Sequence, residues 1–427
     1  MLDIKFIRDN KELVKEAIKN RGVKLDIDEF LRLDEEKRRL LSEAEELKHQ
    51  RNNANDEITA LMKEKKNPKT LIDKMKVVSQ KISVLDEKVE EVYKKVANFT
   101  YLIPNIPDKS IPVGGPEANK IVKSWGETPK LGFKPRTHLE LSELLGIISF
   151  GVSAKISGHG FACFLGAGAR LERALINFML DLHTKKHGYK EVFPPFLVNR
   201  MSMTATGQLP KLEEDMYRLK DDDLFLIPTA EVPVTNIHRG DLLEESRLPI
   251  YYTAYTACFR REAGSYGKET RGLVRIHQFD KVELVKFVKP QDSYDELEKL
   301  LKDAEDVLQL LELPYRVVML STGDISFAAA KCYDIELYAA GAGAYLEVSS
   351  CSNFTDFQAR RANIRFKRTT SDGRREAEYV HTLNGSGVAL ARLVVAILEN
   401  YQNKDGSVMI PKALRPFMDG LDAIKPQ

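Results

Sequence analysis

The chain has 427 residues, which is enough for two domains, or for one large domain with an appendage, around a sizeable core. Its net charge is only +2, so bulk basicity is not its signature, and any contact with nucleic acid must come from local patches. The four cysteines, Cys163, Cys258, Cys332 and Cys351, show no CxxC or Cys/His zinc spacing and read as reduced, mostly buried thiols of a cytoplasmic protein.

The opening MLDIKFIRDN sets Asp3 and Asp9 among its apolar residues and offers no apolar core for a secretory signal, and it does not suit a transit peptide. No run approaches the ~20 apolar residues that a membrane span needs, so the expectation is a soluble, cytoplasmic protein without membrane contact.

From Phe30 onward the apolar pattern is heptad. Leu33, Leu40, Leu47, Ala54 and Leu61 recur every seven residues, with Phe30, Ala44 and Ile58 in the companion position, which Lys37 and Arg51 interrupt. After a break at Asn67 and Pro68, a second seam runs through Leu71, Met75, Val78, Ile82, Leu85, Val89, Val92, Val96 and Phe99. Two seams around a proline-bearing turn predict a long antiparallel helical hairpin, because each helix then covers the stripe of the other. At 1.5 Å rise per residue the first helix would extend about 55 Å, more than a typical domain is wide, so the hairpin should protrude. Lys63, Lys65, Lys66 and Lys69 cluster near its tip, and Arg38, Arg39, Lys48, Arg51, Lys74, Lys76 and Lys81 lie along its arms. These cations suit either a solvated coiled-coil surface or a lever that follows a polyanion.

Residues 101–130 carry Pro104, Pro107, Pro112, Pro116 and Pro129 with the pair Gly114 and Gly115, the composition of an irregular linker. The expected organisation is an arm over 1–105, a linker over 106–130 and a second domain over 131–427. Within the last, LERALINFMLDLHTKKHG predicts an amphipathic helix, followed by the β-rich runs YKEVFPPFLV, FLIPTAEVPV, YYTAYTACFR and LVRIHQFDKVELVKFV. Consecutive strands joined by polar turns, without βαβ alternation, favour an antiparallel sheet flanked by helices, and the fold class is α+β.

Chemistry concentrates in residues 257–285, ACFRREAGSYGKETRGLVRIHQFDKVELV. Strand alternation predicts Arg260 and Glu262 side by side on one strand and Glu283 on the next, with a glycine-punctuated loop bearing Lys268, Arg271 and Arg275 between them. An arginine fork for phosphate beside a carboxylate for an amine suits a substrate that is both anion and amine. The loop GSYGKET lacks the P-loop spacing, and Gly166-Ala167-Gly168 lacks the third glycine of a dinucleotide fingerprint, so neither is evidence for such sites. Further on, Arg392 interrupts an apolar helix that opens through Gly385 and Gly387, where a guanidinium is costly unless paired.

The stretch Phe259, Arg260, Arg261, Glu262 resembles the FRxE signature of motif 2 in class II aminoacyl-tRNA synthetases. HGYKEVFPPFLVN, with Pro194 and Pro195, resembles motif 1, which builds a dimer interface in that class, and the glycine-rich opening before Arg392 resembles motif 3. TAEVPVTN (Thr229 to Asn236), YLEVSSCSNFTDFQARRANIRF (Tyr345 to Phe366), the hairpin and the terminal IPKALRPFM are similar to the bacterial form of the seryl-tRNA synthetase family, so the likeness covers nearly the whole chain. Small residues in YAAGAGAY (Tyr338 to Tyr345) and Ser326, where a glycine is common, depart from that pattern.

The resemblance implies serine activation with ATP, then transfer of serine to the 3′ end of tRNA(Ser). Serine would be bound by Thr229, Ala230 and Glu231, with Glu283 and Ser386 completing its pocket. Arg260 would hold the α-phosphate of ATP, Glu262 would meet the adenine amino group, Phe279 would stack on the base, and Ile276 would line it. Arg261, Val348 and Ser349 belong to the same ATP-binding stretches. Glu347 and Ser350 would hold Mg²⁺ against the phosphates, and Arg392 would meet the γ-phosphate end. Arg260 and Arg392 are the expected catalytic residues. The resemblance further implies a homodimer and a hairpin that grips the long variable arm of the tRNA, a mode that would also permit charging of tRNA(Sec). Two rivals are a ligase that loads a carrier protein, whose relatives lack the N-terminal arm, and a silent RNA-binding paralogue, which should have lost Arg260, Glu283, Glu347 or Arg392. A zinc-dependent serine activator is a third, weakened by the absence of a Cys/His cluster.

Overall fold

The computed structural model describes residues 1–262, 272–370 and 372–426. The chain divides into two compact units, Leu2–Pro104 and Asn105–Gln427, the latter together with Met1.

The first unit is helical, with α1 (Ile4–Asp9), α2 (Lys11–Asn20), α3 (Ile27–Lys63) and α4 (Lys69–Thr100). The side chain of Asp3 caps α1 by accepting the amides of Lys5 and Phe6, and that of Asp26 caps α3 by accepting the amide of Asp28. Lys65, in the left-handed region at φ 57°, and Pro68 turn the chain into α4. The two long helices run antiparallel, burying Phe30, Leu40, Ala44 and Ala54 against Met75, Ile82, Val92 and Val96. At the open end of the pair, the rings of Phe30 and Phe99 lie 5.6 Å apart. The seam differs from the heptad pattern at one place. Asp34 is fully buried, held by Arg8 at 2.9 Å, Lys37 at 3.2 Å and Arg38 at 3.2 Å. Lys37, which breaks the apolar pattern in the sequence, is therefore one of the cations that make a buried carboxylate tolerable.

The second unit is built on an eight-stranded sheet: β1 (Lys120–Trp125), β2 (Lys190–Glu191), β3 (Ile250–Phe259), β4 (Gln278–Val288), β5 (Tyr315–Met319), β6 (Lys331–Ala339), β7 (Ala344–Asn353) and β8 (His381–Ala389). Their spatial order is β1-β5-β6-β7-β8-β4-β3-β2, antiparallel throughout except for the short parallel pair of β2 and β3. Five helices matter for the site: α5 (His138–Leu145), α6 (Ala167–Lys185), α7 (Glu231–Thr235), α8 (Ser293–Leu310) and α9 (Leu390–Asn400). Apolar residues of α6, α8 and α9, among them Leu171, Leu175, Leu300, Leu308, Leu393 and Ile397, pack on one face of the sheet against Val282, Leu284, Ile335 and Leu337. In α8 the apolar spacing Leu297, Leu300, Leu301, Ala304, Leu308 is that of a one-sided helix, so the helix layer is dictated by its own sequence.

Three segments differ from the sequence reading. FLIPTAEVPV is not one strand: Leu224–Leu226 is extended, but Glu231–Thr235 is helical, with Pro233 tolerated in its first turn and the Glu231 amide donating to Thr229 Oγ1 at 3.2 Å. LVRI is not extended either, since Gly272–Val274 forms a single 3₁₀ turn and β4 starts only at Gln278. The proline-rich stretch is not irregular throughout, because Lys120–Trp125 joins the sheet edge beside β5.

Candidate active site

The face of the sheet opposite the helix layer carries the polar residues, and the register explains how they meet. On β4, Phe279, Lys281 and Glu283 project in one row by strand alternation, opposite Cys258, Thr256 and Ala254 of β3. On the other side of β4, Ser386 of β8 pairs directly with Glu283. Together they border a cavity of about 560 Å³ whose lining includes Thr229, Glu231, Arg260, Glu283, Ser386 and Arg392.

At the cavity's inner end Glu283 is only 1% exposed. It accepts from Thr229 Oγ1 at 3.1 Å and Asn384 Nδ2 at 3.0 Å, and it contacts Lys281, whose ammonium donates to Thr229 Oγ1 at 2.7 Å. Glu231 accepts from Gln358 Nε2 at 2.6 Å. Burial pushes the Glu231 carboxyl up to about 7, with repulsion from Glu283 adding to the rise and Gln358, Lys281 and Arg260 opposing it. Two carboxyl groups and one ammonium thus converge at the buried end of the cavity.

At the other end, Arg260 and Glu262 do not sit side by side on a strand. β3 stops at Phe259, and Arg260 extends the ladder by one further residue through its amide, which donates to the His277 carbonyl at 2.9 Å. The chain then turns away, with the Arg261 amide donating to the Asp215 carbonyl at 3.0 Å and Glu262 in the left-handed region at φ 51°. The Arg260 guanidinium lies over the Phe279 ring, 5.2 Å from its centroid, and Glu262 instead pairs with Arg275 Nε at 3.1 Å. Lys268 and Arg271 lie outside the described residues.

Glu347 and Ser350, three apart on β7, should face opposite ways in a regular strand. A bulge brings them together: Ser349 pairs with Ile335 and Glu347 with Glu336, leaving Val348 as the extra residue. Ser350 stands opposite Asp334, so the oxygens of Asp334, Ser350 and Glu347 share one side of the sheet. Burial, reinforced by the charge of Glu347, holds the Asp334 carboxyl well above its usual range. Among the described residues no group of three or more His, Cys, Asp and Glu side chains is arranged to hold a metal ion. The oxygens at the bulge suit a hard cation that takes part of its shell from a substrate.

The cost expected for a guanidinium inside an apolar helix is offset at Arg392 by pairing. Its Nε donates to the Val274 carbonyl at 3.1 Å and its Nη1 to the Glu347 carbonyl at 2.7 Å, with Glu347 Oε2 at 3.4 Å. Ile276 and Val348 also line the cavity, whereas Ala230, Arg261 and Ser349 do not. Ser349 lies behind it, donating to the Ser386 carbonyl at 2.6 Å, and Ala230 is buried beside α7. Sequence reasoning missed Lys281 and Asn384, although each stands two residues before a residue it did select, on the same strand face. Gln358 and Asp334 carried no such signal, since they reach the site from distant segments.

Sequence comparison agrees with this architecture. The model of the tRNA synthetase class II core domain (G, H, P, S and T) matches residues 214–401, and that of the seryl-tRNA synthetase N-terminal domain matches residues 1–107. The fold is that of a class II aminoacyl-tRNA synthetase. A serine--tRNA ligase from Thermodesulfovibrio yellowstonii is 56% identical over 429 residues, covering 100% of both chains. The crystal structure of seryl-tRNA synthetase from Pyrococcus horikoshii complexed with ATP superimposes with a TM-score of 0.92 at 40% identity, over 100% of each chain. A cytoplasmic serine-tRNA ligase from Naegleria fowleri in complex with AMP gives a TM-score of 0.88 at 29% identity, over 100% of this chain and 99% of that one. The chain belongs to the seryl-tRNA synthetase family. Among the described residues no helix is long and apolar enough to cross a membrane.

Proposed function

We propose that the chain activates L-serine with ATP, releasing pyrophosphate, and transfers serine from the adenylate to the 3′ end of tRNA(Ser). The observation that carries this reading is Glu283. It is buried at the inner end of the cavity, directly opposite Ser386, where it can accept both from an ammonium and from a hydroxyl. A site built to hydrogen-bond a hydroxyl disfavours alanine, which would leave buried polar groups unpaired, while the limited space disfavours threonine. Thr229 and Glu231 complete the serine pocket in this reading, with the Ala230 backbone between them.

ATP would occupy the outer part of the cavity, its base against Phe279 and Ile276 with Glu262 near the amino group, and its phosphates between Arg260 and Arg392. Arg261, Val348 and Ser349 flank these contacts. The carboxylate of serine is itself the nucleophile, so the protein's work is to align it with the α-phosphorus and to offset the charge that develops there. Arg260 does so at the α-phosphate and Arg392 at the leaving pyrophosphate. Glu347 and Ser350 would hold Mg²⁺, which when bound supplies charge neutralisation to the phosphate oxygens.

In the same reading residues 1–105 form an arm that binds the tRNA backbone by charge and shape, 106–130 a connector and 131–427 the catalytic region. The protein would act in the cytoplasm as a homodimer, and tRNA(Sec) is a further acceptor to be tried. The test is ATP–pyrophosphate exchange with serine, threonine, alanine, glycine and cysteine, with and without Mg²⁺. A strong, Mg²⁺-dependent signal for serine is expected. No exchange with any of them, from folded protein, would turn attention to the silent RNA-binding paralogue.

A further inference from the structure

His138, the first residue of α5, is used by none of the chemistry above, yet it is buried, 6% exposed, and bonded at both ring nitrogens. Nδ1 lies 2.9 Å from Glu399 Oε1, and Nε2 lies 3.3 Å from the amide nitrogen of Leu273. A backbone amide can only donate, so Nε2 must present its lone pair and the ring proton must sit on Nδ1, donating to Glu399. Glu399 is fully buried. Its Oε1 also accepts the His138 amide at 2.9 Å, and its Oε2 accepts the Ala342 amide at 2.9 Å. With donors at both oxygens the carboxyl is an acceptor throughout, which fixes the tautomer of the imidazole much as a carboxylate fixes that of a metal-binding histidine.

Helix α9 therefore grips the segment 272–276 at two points. Arg392, near its start, holds the Val274 carbonyl directly. Glu399, two turns later on the same face, holds the adjacent Leu273 amide through His138. That segment is one wall of the cavity, since Leu273, Val274, Arg275 and Ile276 all line it. The packing is tight at both ends of the relay. A Cβ at Gly272 would collide with the His138 ring, and one at Gly341 would collide with the Arg136 carbonyl and the Glu399 carboxyl. The small residues of Tyr338 to Tyr345 thus let that hairpin close over Glu399.

We propose that His138, with its tautomer set by Glu399, is a positioning residue for the nucleotide half of the site, fixing the wall at 272–276 and through Val274 the guanidinium of Arg392. This inference rests on the reading that ATP lies against that wall. Serine meets the opposite end of the cavity and has no contact with the relay.

The test compares His138→Leu, which keeps bulk but leaves the Leu273 amide without its acceptor, with His138→Gln, whose amide can donate to Glu399 and accept from Leu273. In pyrophosphate exchange His138→Leu should raise KM for ATP by about tenfold or more, the scale expected for a buried donor left unpaired, and leave KM for serine within about twofold. His138→Gln should restore most of the loss. An unchanged KM for ATP in the leucine variant, or equal rises in both KM values, would overturn the proposal. Amide exchange on the unmodified protein keeps the idea testable if the leucine variant does not fold: Leu273 should exchange slowly without ATP, and fast exchange there would also overturn it. Wild-type protein without any serine-dependent exchange would instead overturn the underlying functional reading.

Discussion

Glu231 is the residue whose environment makes the clearest demand on solution conditions. Its carboxyl is raised to about 7 by burial and by the neighbouring Glu283. Because the pKa is raised, the group is neutral below that value and becomes a carboxylate as pH rises through it, and only the carboxylate attracts an ammonium. KM for serine should therefore fall as pH is raised from 6 to 8, and Glu231→Gln should flatten that limb while weakening serine at pH 8. A wild-type KM for serine that is constant over this range would show that Glu231 does not meet the substrate amine. At this scale the resemblance picked out Phe279 and Glu283, which strand alternation does set in one row along the cavity. The sequence was least legible at Arg260 and Glu262, because the strand stops at Phe259 and the chain turns away, so the two side chains go to different partners.

Among the elements, the hairpin of α3 and α4 was readable in outline because a heptad seam and a proline turn are local signals. The buried Asp34 was not, since its partner Arg8 comes from another helix. The short helix at Glu231–Thr235 was hidden by its β-branched residues, whose preference is outweighed by the Thr229 bond to the Glu231 amide. The rings of Phe30 and Phe99 are neighbours, so residues 31–98 can be replaced by a short glycine-serine bridge with little distance to span. If the hairpin serves tRNA alone, this variant should retain serine-dependent pyrophosphate exchange within a few-fold and lose aminoacylation by at least about a hundredfold, on the scale of several lost phosphate contacts. Charging at the normal rate would remove the hairpin from the reaction.

The molecule as a whole is nearly neutral, with 65 basic and 63 acidic side chains. Attraction to a polyanion must then come from local clusters such as Lys63, Lys65, Lys66 and Lys69, and salt should separate the substrates cleanly. KM for tRNA should climb steeply between 50 and 200 mM salt, roughly as a power of its concentration, while KM for serine stays flat. Parallel behaviour of the two would argue against phosphate-led binding. Fold class was legible from strand and helix periods, because helix and sheet each bury one face. The meeting of β4, β7 and β8 was not, because it depends on pairing between strands far apart in sequence. The bulge at Val348 has a consequence of a different kind. Along β7 the site is encoded by counting, odd or even, as much as by letters. Loss of the single codon for Val348 would bring Glu347 and Ser350 to a spacing of two, at which a regular strand keeps both on one side of the sheet without a bulge. A scan that demanded the present spacing would then reject a strand whose two oxygens still meet.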